Sequence, residues 1–339
     1  MNFIDFRSDT VTKPSAGMLH AMMNAAVGDD VFSEDPSINL LEEKAADLFG
    51  MEAGLFCPSG TMTNQIAIKM HTQPGDEVIC DFLSHVYQYE GGGIAFNSGA
   101  SVRLLNGDRG RLNAKQVQDA ININDIHKAH TSLVVLENTI NKGGGSCYEL
   151  SDIEAIQQVC IENNLQLHLD GARLFNALVY KKQSATDYGR LFHSISICLS
   201  KGLGCPVGSV LLGTKKDITR SRRIRKVLGG GMRQAGVVAA AGIYALDHHI
   251  ERLQEDHLHA KKIEQALLIN KKVESVILVE TNIILFTVRP EVNTKEFITQ
   301  LKNKGILAFD TGAKQIRFVL HLNISKEMVE KTIEILSDL

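Results

Sequence analysis

Short apolar runs alternate with segments of helical spacing between about residues 50 and 215. Five of these runs are typical of buried strands: EVICDFLSH, TSLVVLENT, LQLHLDGAR, SISICLSKG and GSVLLGT. The segments between them repeat their apolar positions with the period of an amphipathic helix, as in LSDIEAIQQVCIENN. Strands that alternate with helices predict an α/β fold with a mostly parallel sheet covered on both faces. A ligand site is then expected at the carboxyl ends of the strands.

The pattern changes after a basic, glycine-rich stretch at 215–236. The segment VVAAAGIYALDHHIERLQEDHLHAKKIEQALLI is apolar at first and charged later, which predicts one long helix that leaves a core. From about residue 275, two β-rich segments, NIILFTV and QIRFVLHL, are interleaved with helical ones. We therefore expect two domains, a large one at 1–247 and a smaller α/β domain at 248–339.

Composition narrows the class of protein. The 339 residues are 44% hydrophobic and 22% charged, with a formal net charge of -3. This charge gives no reason to expect nucleic acid or a membrane surface as a partner. The segment MNFIDFRSDT lacks the pattern of a signal peptide, and no apolar run approaches the ~20 residues of a membrane helix. The six cysteines form no C-x-x-C pair, so we expect buried, reduced thiols and a cytoplasmic location.

Two charged residues follow apolar runs where a ligand site is expected. Lys201 stands between such a run and a glycine-rich turn in ISICLSKGLG, and Asp170 ends the run in LQLHLD. An amine and a carboxylate at the mouths of buried strands suit an enzyme that uses pyridoxal phosphate. Lys201 would form a Schiff base with the cofactor, and Asp170 would keep the pyridine nitrogen protonated.

Four further residues fit this cofactor, although each also has an ordinary structural interpretation. Gly60 and Thr61 open a helix whose first N–H groups could seat a phosphate, or simply cap the helix. Arg173 could bind a substrate carboxylate, lie near the ring oxygen or form a surface ion pair. His85 could stack on the pyridine ring and act as a general base, or be structural.

Several segments in a fixed order resemble the low-specificity L-threonine aldolases, which are pyridoxal phosphate enzymes of the aspartate-aminotransferase-like fold (fold type I). These segments are FRSDTVTKPS, VGDDVFSEDP, PSGTMTNQ, LENT, HLDGARLFNA, LSKGLGCPVGS and GGGMRQAG. The resemblance runs from about residue 3 to IRFVLHL. It implies a large domain with a seven-stranded, mostly parallel sheet and a smaller carboxyl-terminal domain. It also implies a carbon–carbon lyase that cleaves L-threonine or L-allo-threonine to glycine and acetaldehyde.

The resemblance assigns roles to individual residues. Lys201 matches the Schiff-base lysine, and Asp170 matches the partner of the pyridine nitrogen. His85 matches the ring-stacking histidine, to which we assign the removal of the β-hydroxyl proton. His127, in NDIHKAH, matches a second histidine near the substrate hydroxyl. The residues that match substrate-carboxylate binders are Ser8, Arg173 and Arg317.

The same resemblance extends to the phosphate end of the cofactor and to assembly. Gly60 and Thr61 match the phosphate loop. Lys226 and Arg233 match basic residues that reach the phosphate region, partly across a subunit interface. A homotetramer built from dimers, with active sites at the subunit interfaces, is therefore expected. One departure is visible, because Ile140 stands in ENTIN where the family often has a histidine, which puts any contact of that histidine in doubt.

Three alternatives remain open from the sequence. The first is another fold type I lyase for β-hydroxy amino acids, of the serine or phenylserine type. The second is a zinc-dependent aldolase, given twelve histidines, but the group His248, His249, His257 and His259 is expected to form a solvated face, and we predict no metal. The third is a nucleic-acid-binding module, prompted by KKDITRSRRIRK, a charge run that is also expected to be solvated.

Overall fold

The computed structural model describes residues 3–339. Its strands are β1 (Ile4–Asp5), β2 (Ala53–Cys57), β3 (Glu77–Asp81), β4 (Ser101–Leu105), β5 (Thr131–Glu137), β6 (Gln166–Gly171), β7 (Ser194–Cys198), β8 (Ser209–Gly213), β9 (Val273–Val276), β10 (Ile283–Val288), β11 (Ile306–Leu307), β12 (Phe309–Gly312) and β13 (Gln315–Val319). Its α-helices are α1 (Ala16–Met23), α2 (Pro36–Phe49), α3 (Gly60–His71), α4 (His85–Gln88), α5 (Ala114–Ala120), α6 (Leu150–Glu162), α7 (Leu174–Lys181), α8 (Ala185–Leu191), α9 (Lys215–Val227), α10 (Gly236–His248), α11 (Leu253–Leu268), α12 (Thr294–Asn303) and α13 (Lys326–Asp338).

The large sheet contains seven strands in the order β2-β8-β7-β6-β5-β3-β4. Strand β8 runs antiparallel to both of its neighbours, and the other pairings are parallel. All five strands predicted from apolar runs belong to this sheet, as β3 and β5 to β8. Every residue of β3, β5, β7 and β8 is buried, because helices cover both faces and exclude water from the whole strand.

The smaller sheet has the order β12-β13-β10-β9 and its own apolar core. The segment at the start of the chain belongs to this part, since β1 pairs in parallel with β11, and Ile4 and Phe6 are buried in the same core. This long-range pairing has no local signal in the sequence. The proposed domain boundary at residue 247 falls next to the end of α10, and it remains a prediction.

The predicted long helix is instead two helices, α10 and α11, separated by residues 249–252. At this break the ring of His249 bonds to the Leu203 carbonyl at 2.7 Å, which ties the chain to the turn after Lys201. The expected solvated histidine face was wrong for three of its four members. His249, His257 and His259 are buried, and His257 bonds Asn176 at 3.0 Å.

The basic segment 215–226 forms most of α9, and it is only partly a solvated face. Arg225 is 3% exposed and pairs with Asp30, while Arg222 pairs with Glu42. Arg225 is therefore buried with its partner, whereas Arg222 is partly exposed. The six cysteines are all buried free thiols, as predicted. Among the helices of residues 3–339, none combines the length and the apolar character needed to cross a membrane.

Candidate active site

A cavity of about 120 Å³ lies at the carboxyl ends of β5, β6 and β7. Its lining includes Ser8, His85, Glu137, Arg173, Lys201 and Arg317. A larger space of about 360 Å³ adjoins it, sharing His85, Asn141 and Arg317. The structure thus brings five predicted site residues, Ser8, His85, Arg173, Lys201 and Arg317, to one place. This is the edge of the sheet where ligands of parallel α/β folds bind.

Lys201 lies in a tight turn that follows β7. Its carbonyl oxygen accepts a hydrogen bond from the Gly204 N–H at 2.8 Å and from the Thr12 hydroxyl at 3.1 Å. Gly204 has a φ of +82°, which a residue with a side chain rarely adopts. The backbone of Lys201 is therefore held firmly. Its amine forms no hydrogen bond or ion pair with any residue in the 3–339 range, so it is available for covalent chemistry.

Asp170 is a buried carboxylate at the end of β6, with a side chain held by neutral donors. It is 2% exposed, and it accepts hydrogen bonds from the Asn64 amide at 2.9 Å and from the Ala172 N–H at 3.1 Å. Within the described part of the chain it has no ion-pair partner. A buried carboxylate without a cation is costly, so the site favours a ligand that carries a positive N–H group. A protonated pyridine nitrogen has this chemistry, and Asp170 therefore fits pyridoxal phosphate.

His85 is positioned by a carboxylate that sequence reasoning missed. Its Nδ1 lies 2.9 Å from Glu90 Oε1, and the Gln65 amide donates to the other oxygen of Glu90 at 2.6 Å. Burial alone would lower the pKa of His85, but the hydrogen bond to Glu90 and the charge of Asp170 raise it above its ordinary value. The His85 ring is thereby oriented, and its affinity for a proton is increased.

Single ligand atoms of His85, Glu90 and Asp170 lie within 4.8 Å of one another, a spacing that could also suit a metal ion. The Asn64 amide nitrogen lies 2.9 Å from both Glu90 Oε1 and Asp170 Oδ2. Its N–H groups already serve both carboxylates, which reduces their need for a cation between them. The predicted absence of a metal therefore remains our interpretation of this cluster.

Arg173 forms a buried ion pair with Asp9 that sequence reasoning did not anticipate. Its Nε and Nη2 each lie 2.7 Å from one oxygen of Asp9. The two side chains are 5% and 0% exposed. Burial would raise the pKa of Asp9, but the neighbouring Arg173 guanidinium keeps it below its ordinary value. Only Nη1 of Arg173 has no partner among the described residues, and Arg173 therefore has one nitrogen left for a ligand.

Arg317 offers a second guanidinium to the cavity. Its Nη1 donates to the Asn141 side-chain oxygen at 2.8 Å, and its Nη2 donates to the Arg7 carbonyl at 3.0 Å. Burial and the charge of Arg173 lower the pKa of Arg317 to about 10. It forms no ion pair with any residue between 3 and 339, and its buried Nε lacks a hydrogen-bond partner there. An anionic group in the cavity, such as a substrate carboxylate, would give Arg317 both an ion-pair partner and a hydrogen-bond acceptor.

Glu137 is a further buried acid in the cavity, at the end of β5. Its two oxygens accept hydrogen bonds from the backbone N–H groups of His85 and Asn141, each at 2.8 Å. Burial and repulsion from the adjacent Asp170 raise the pKa of Glu137 to about 7. Glu137 can therefore change its charge near neutral pH. Glu137 and Asp9 lie in the segments LENT and FRSDT, which were the only signals that could have drawn attention to them.

The amino-terminal end of α3 fits a phosphate group. Gly60 is the first residue of this helix, and Thr61, which follows it, is exposed. The first backbone N–H groups of a helix have no carbonyl partner within the helix, and they point out of its end, where an anion can bind. A Cβ at Gly60 would come within 3.4 Å of the Ser209 hydroxyl oxygen. This oxygen is buried and has no hydrogen-bond partner in the described part of the chain. A phosphate oxygen at this position would supply that partner.

Six predicted site residues do not line this cavity. Asp170, Gly60 and Thr61 lie on β6 and α3, and the other three lie at the surface of the single chain. His127 is exposed, bonds Asp125 and lies before β5 begins, so the length of that strand, roughly 20 Å, separates it from the site. Lys226 is exposed, and Arg233 pairs with Asp29 on the surface. Ile140 is 1% exposed in the core of the large domain. The unusual residue in ENTIN therefore concerns packing in this structure and does not line the cavity.

The seven-stranded sheet, the lysine after β7 and the buried aspartate on β6 together define an enzyme of pyridoxal phosphate fold type I. The chain matches the beta-eliminating lyase family over residues 5–290. It is 41% identical over 327 residues to the low specificity L-threonine aldolase of Escherichia coli, which covers 96% of each chain. It is 37% identical over 340 residues to low-specificity L-threonine aldolase 1 of Arabidopsis thaliana, covering 98% of this chain and 95% of the relative.

Solved structures agree on the fold. A threonine aldolase of Leishmania major superposes with a TM-score of 0.86 at 20% identity and covers 98% of both chains. A serine palmitoyltransferase of Sphingomonas wittichii has a TM-score of 0.77 at 15% identity and covers 99% of this chain and 86% of its own. The chain belongs to the beta-eliminating lyase family, within which it groups with the low-specificity L-threonine aldolases. This confirms the predicted fold, the lyase class and the pyridoxal phosphate cofactor.

Proposed function

We propose that this protein cleaves the Cα–Cβ bond of L-threonine and L-allo-threonine and releases glycine and acetaldehyde. The observation that carries the proposal is one cavity lined by the Lys201 amine, by Arg317 without an ion-pair partner among the described residues and by His85, with a carboxylate oxygen of the buried Asp170 within 4.8 Å of the His85 ring. Arg317 suits the carboxylate of a β-hydroxy-α-amino acid, His85 suits its hydroxyl group, and Lys201 suits the cofactor to which its amine would bind. The similarity to the threonine aldolases supports the same substrates.

Bound pyridoxal phosphate would supply an electron sink for the pair left on Cα when the bond to Cβ breaks. In the proposed site Lys201 would hold the cofactor covalently through its side-chain amine. Asp170 would accept a hydrogen bond from the protonated ring nitrogen, and the end of α3 with Gly60 and Thr61 would bind the phosphate. Arg173 lies within reach of the cavity through Nη1, the nitrogen that Asp9 leaves free.

Substrate orientation is the main task of the cationic side of the cavity. Arg317 and Ser8, with Arg173, would bind the substrate carboxylate and so fix the orientation of the bonds at Cα. Holding the reacting group in one geometry can remove several kcal/mol from the barrier. His85 would accept the β-hydroxyl proton on the ring nitrogen that Glu90 does not occupy. Glu137 is a second group with the proton affinity for this step, and it lies behind the backbone of His85.

The first test of the proposal locates the cofactor. Borohydride reduction of the holoenzyme followed by peptide mass mapping should find the pyridoxyl group on Lys201. A matched control is Lys142→Ala, which removes another lysine at the mouth of the site and should leave the label on Lys201. A pyridoxyl group on any other lysine would overturn the assignment.

The second test identifies the reaction. Acetaldehyde and glycine should appear in equal amounts from L-threonine and from L-allo-threonine. Faster aldehyde release from serine or phenylserine would favour the alternative lyase. His85→Asn should lower the rate of cleavage, whereas unchanged turnover would remove His85 as the base. Activity that persists after treatment with a chelator would dispose of the zinc-dependent alternative.

We also propose a cytoplasmic homotetramer with active sites at the subunit interfaces. Lys226, Arg233 and His127 lie at the surface of the single chain, where a neighbouring subunit could bring them to a cavity. Buried free thiols suit a reducing compartment. Light scattering after gel filtration should give four times the mass of the chain, and an active monomer would reject this assembly.

A further inference from the structure

A continuous line of polar side chains crosses the sheet-facing side of α3, starting at Asp170. Asp170 Oδ2 lies 2.9 Å from the Asn64 amide nitrogen, and Asn64 Oδ1 lies 3.2 Å from His168 Nε2. His168 Nδ1 lies 2.8 Å from the Ser194 hydroxyl, which lies 2.8 Å from His71 Nε2. We call this line the polar seam. It reaches from the proposed cofactor site to the opposite edge of the sheet.

The positions of the seam residues follow from the two periodicities of the chain. Asn64 and His71 are seven residues apart on α3, so they lie on one face of the helix. His168 and Asp170 are two residues apart on β6, so they project from the same face of the sheet. Ser194 is the register partner of His168 on β7. The first three seam residues from Asp170, namely Asn64, His168 and Ser194, are 2%, 0% and 0% exposed.

The hydrogen-bonding capacity of each group sets the direction of the protons in the seam. Because carboxylates only accept, the Asn64 amide must turn its NH2 group to Asp170 and Glu90 and its oxygen to His168. His168 Nε2 must then carry a proton. In a neutral ring Nδ1 accepts from the Ser194 hydroxyl, whose oxygen accepts in turn from His71 Nε2. Every donor in the seam therefore points toward Asp170.

Both histidines of the seam are held neutral. Burial lowers the pKa of His168 to about 3 and that of His71 to about 4. Asp170 thus receives no charge from the seam but faces the positive ends of a series of aligned bond dipoles. Such a series strengthens the hydrogen bond that Asn64 donates to Asp170, since neighbouring hydrogen bonds polarise one another in a buried setting. The Ser194 carbonyl oxygen, 3.1 Å from His168 Nδ1, would accept a hydrogen bond from that nitrogen only if the ring became charged.

We propose that His168 is a positioning residue that acts through Asn64 to orient Asp170 toward the ring nitrogen of the cofactor. The seam thereby sets the protonation of that nitrogen from the covered side of the sheet. His71 is the last residue of the polar seam, and it lines a cavity of about 350 Å³ together with Asp76 and Arg220. This inference rests on the proposed function, because it requires the cofactor ring to lie against Asp170.

The test compares three holoenzyme variants with the wild type. His168→Leu removes the donor to Asn64, and His168→Gln restores a side-chain N–H that can reach Asn64. His193→Gln is the matched control, because this histidine lies 6.4 Å from the His71 ring, at the same edge, and bonds the Leu167 N–H outside the seam. Solid-state NMR of holoenzyme loaded with ring-15N pyridoxal phosphate reports the protonation of the ring nitrogen directly.

The wild type, His168→Gln and His193→Gln should show a protonated ring nitrogen. In His168→Leu the ratio of protonated to unprotonated nitrogen should fall roughly tenfold, the effect of losing one hydrogen bond in a charged network. Its kcat should fall by a similar factor while KM stays within about twofold, because no substrate contact changes. An unchanged nitrogen signal in His168→Leu holoenzyme would overturn the proposal, as would a His168→Gln signal that matches His168→Leu.

Two other outcomes need their own interpretation: a His168→Leu variant that does not fold, and a wild type without pyridoxal phosphate on Lys201. If His168→Leu does not fold, His71→Leu at the half-buried end of the seam takes its place. A smaller shift in the same direction then supports the positioning role, and no shift overturns it. If the wild type carries no pyridoxal phosphate on Lys201, the proposed function itself is wrong. The failure of that function is therefore distinguishable from a failure of the seam.

Discussion

The buried pair of Asp9 and Arg173 allows a prediction with a defined magnitude. In Asp9→Asn, the Arg173 guanidinium stays buried but loses the two charge-assisted bonds of 2.7 Å each. Removing one partner of a buried pair leaves an uncompensated charge and typically costs about 3–5 kcal/mol. An asparagine keeps the size of the side chain, so the loss comes from charge and hydrogen bonding rather than from a cavity.

This free energy converts into a shift of the thermal midpoint. An unfolding entropy of about 2.1 cal/mol/K per residue gives roughly 0.7 kcal/mol/K for 339 residues. The expected fall in the midpoint of Asp9→Asn is therefore about 4–7 °C, measured at one fixed protein concentration. The kcat/KM should fall as well, because the orientation of Arg173 in the cavity depends on Asp9.

A double-mutant cycle with Arg173→Gln isolates the interaction between the two side chains. The double variant should lose less stability than the sum of the two single variants, because it leaves no buried charge unpaired. Asp119→Asn is the control, since Asp119 pairs with Lys115 at the surface, where such pairs contribute about 0–1 kcal/mol. The reasoning would be refuted if Asp9→Asn lowered the midpoint no more than Asp119→Asn.

Two other predictions concern substrate binding and pH. Arg317→Leu should lower kcat/KM for L-threonine by about 30- to 5,000-fold, equivalent to roughly 2–5 kcal/mol for a buried charged contact, and exposed Arg223→Leu should change it little. An Arg317→Leu enzyme with wild-type kcat/KM would contradict the proposed carboxylate site. The pKa of Glu137 is raised to about 7 in the folded protein, so the folded state binds the proton of this carboxyl group more tightly than the unfolded state does. The stability that results is present at low pH and is lost as the pH rises from about 4.5 to 7. Urea unfolding of the apoenzyme from pH 5 to 8 should show this loss, of up to about 3 kcal/mol, in the wild type but not in Glu137→Gln, and parallel pH profiles would disprove it.

Local patterns were enough to predict much of the large domain. The strands β3 and β5 to β8 appeared in the sequence because fully buried strands are continuous apolar runs. Lys201 and Asp170 could be placed because the carboxyl ends of neighbouring parallel strands meet at one edge. The resemblance to a known family added Ser8 and Arg317, which have no local signal of their own.

Other features depended on contacts between distant parts of the chain. The partner of Arg173 is Asp9, which lies 164 residues away. Glu90 approaches His85 through a turn whose geometry no periodicity predicts, and the antiparallel direction of β8 had no local mark. The pairing of β1 with β11 likewise joins the two ends of the chain.

The sequence by itself determined the fold class, the family and the position of the lysine proposed to hold the cofactor, because apolar periodicity and motif order are local properties of the chain. Only the tertiary structure decided which charged groups are buried and what each one faces. The histidines of α11 illustrate the difference, since a charged helical tract predicted solvent and packing placed His257 inside. The charges of Asp9, Glu137 and the seam residue His168 depend on burial and on nearby charged groups. Both are set by residues that are close in space and not by residues that are close in the sequence.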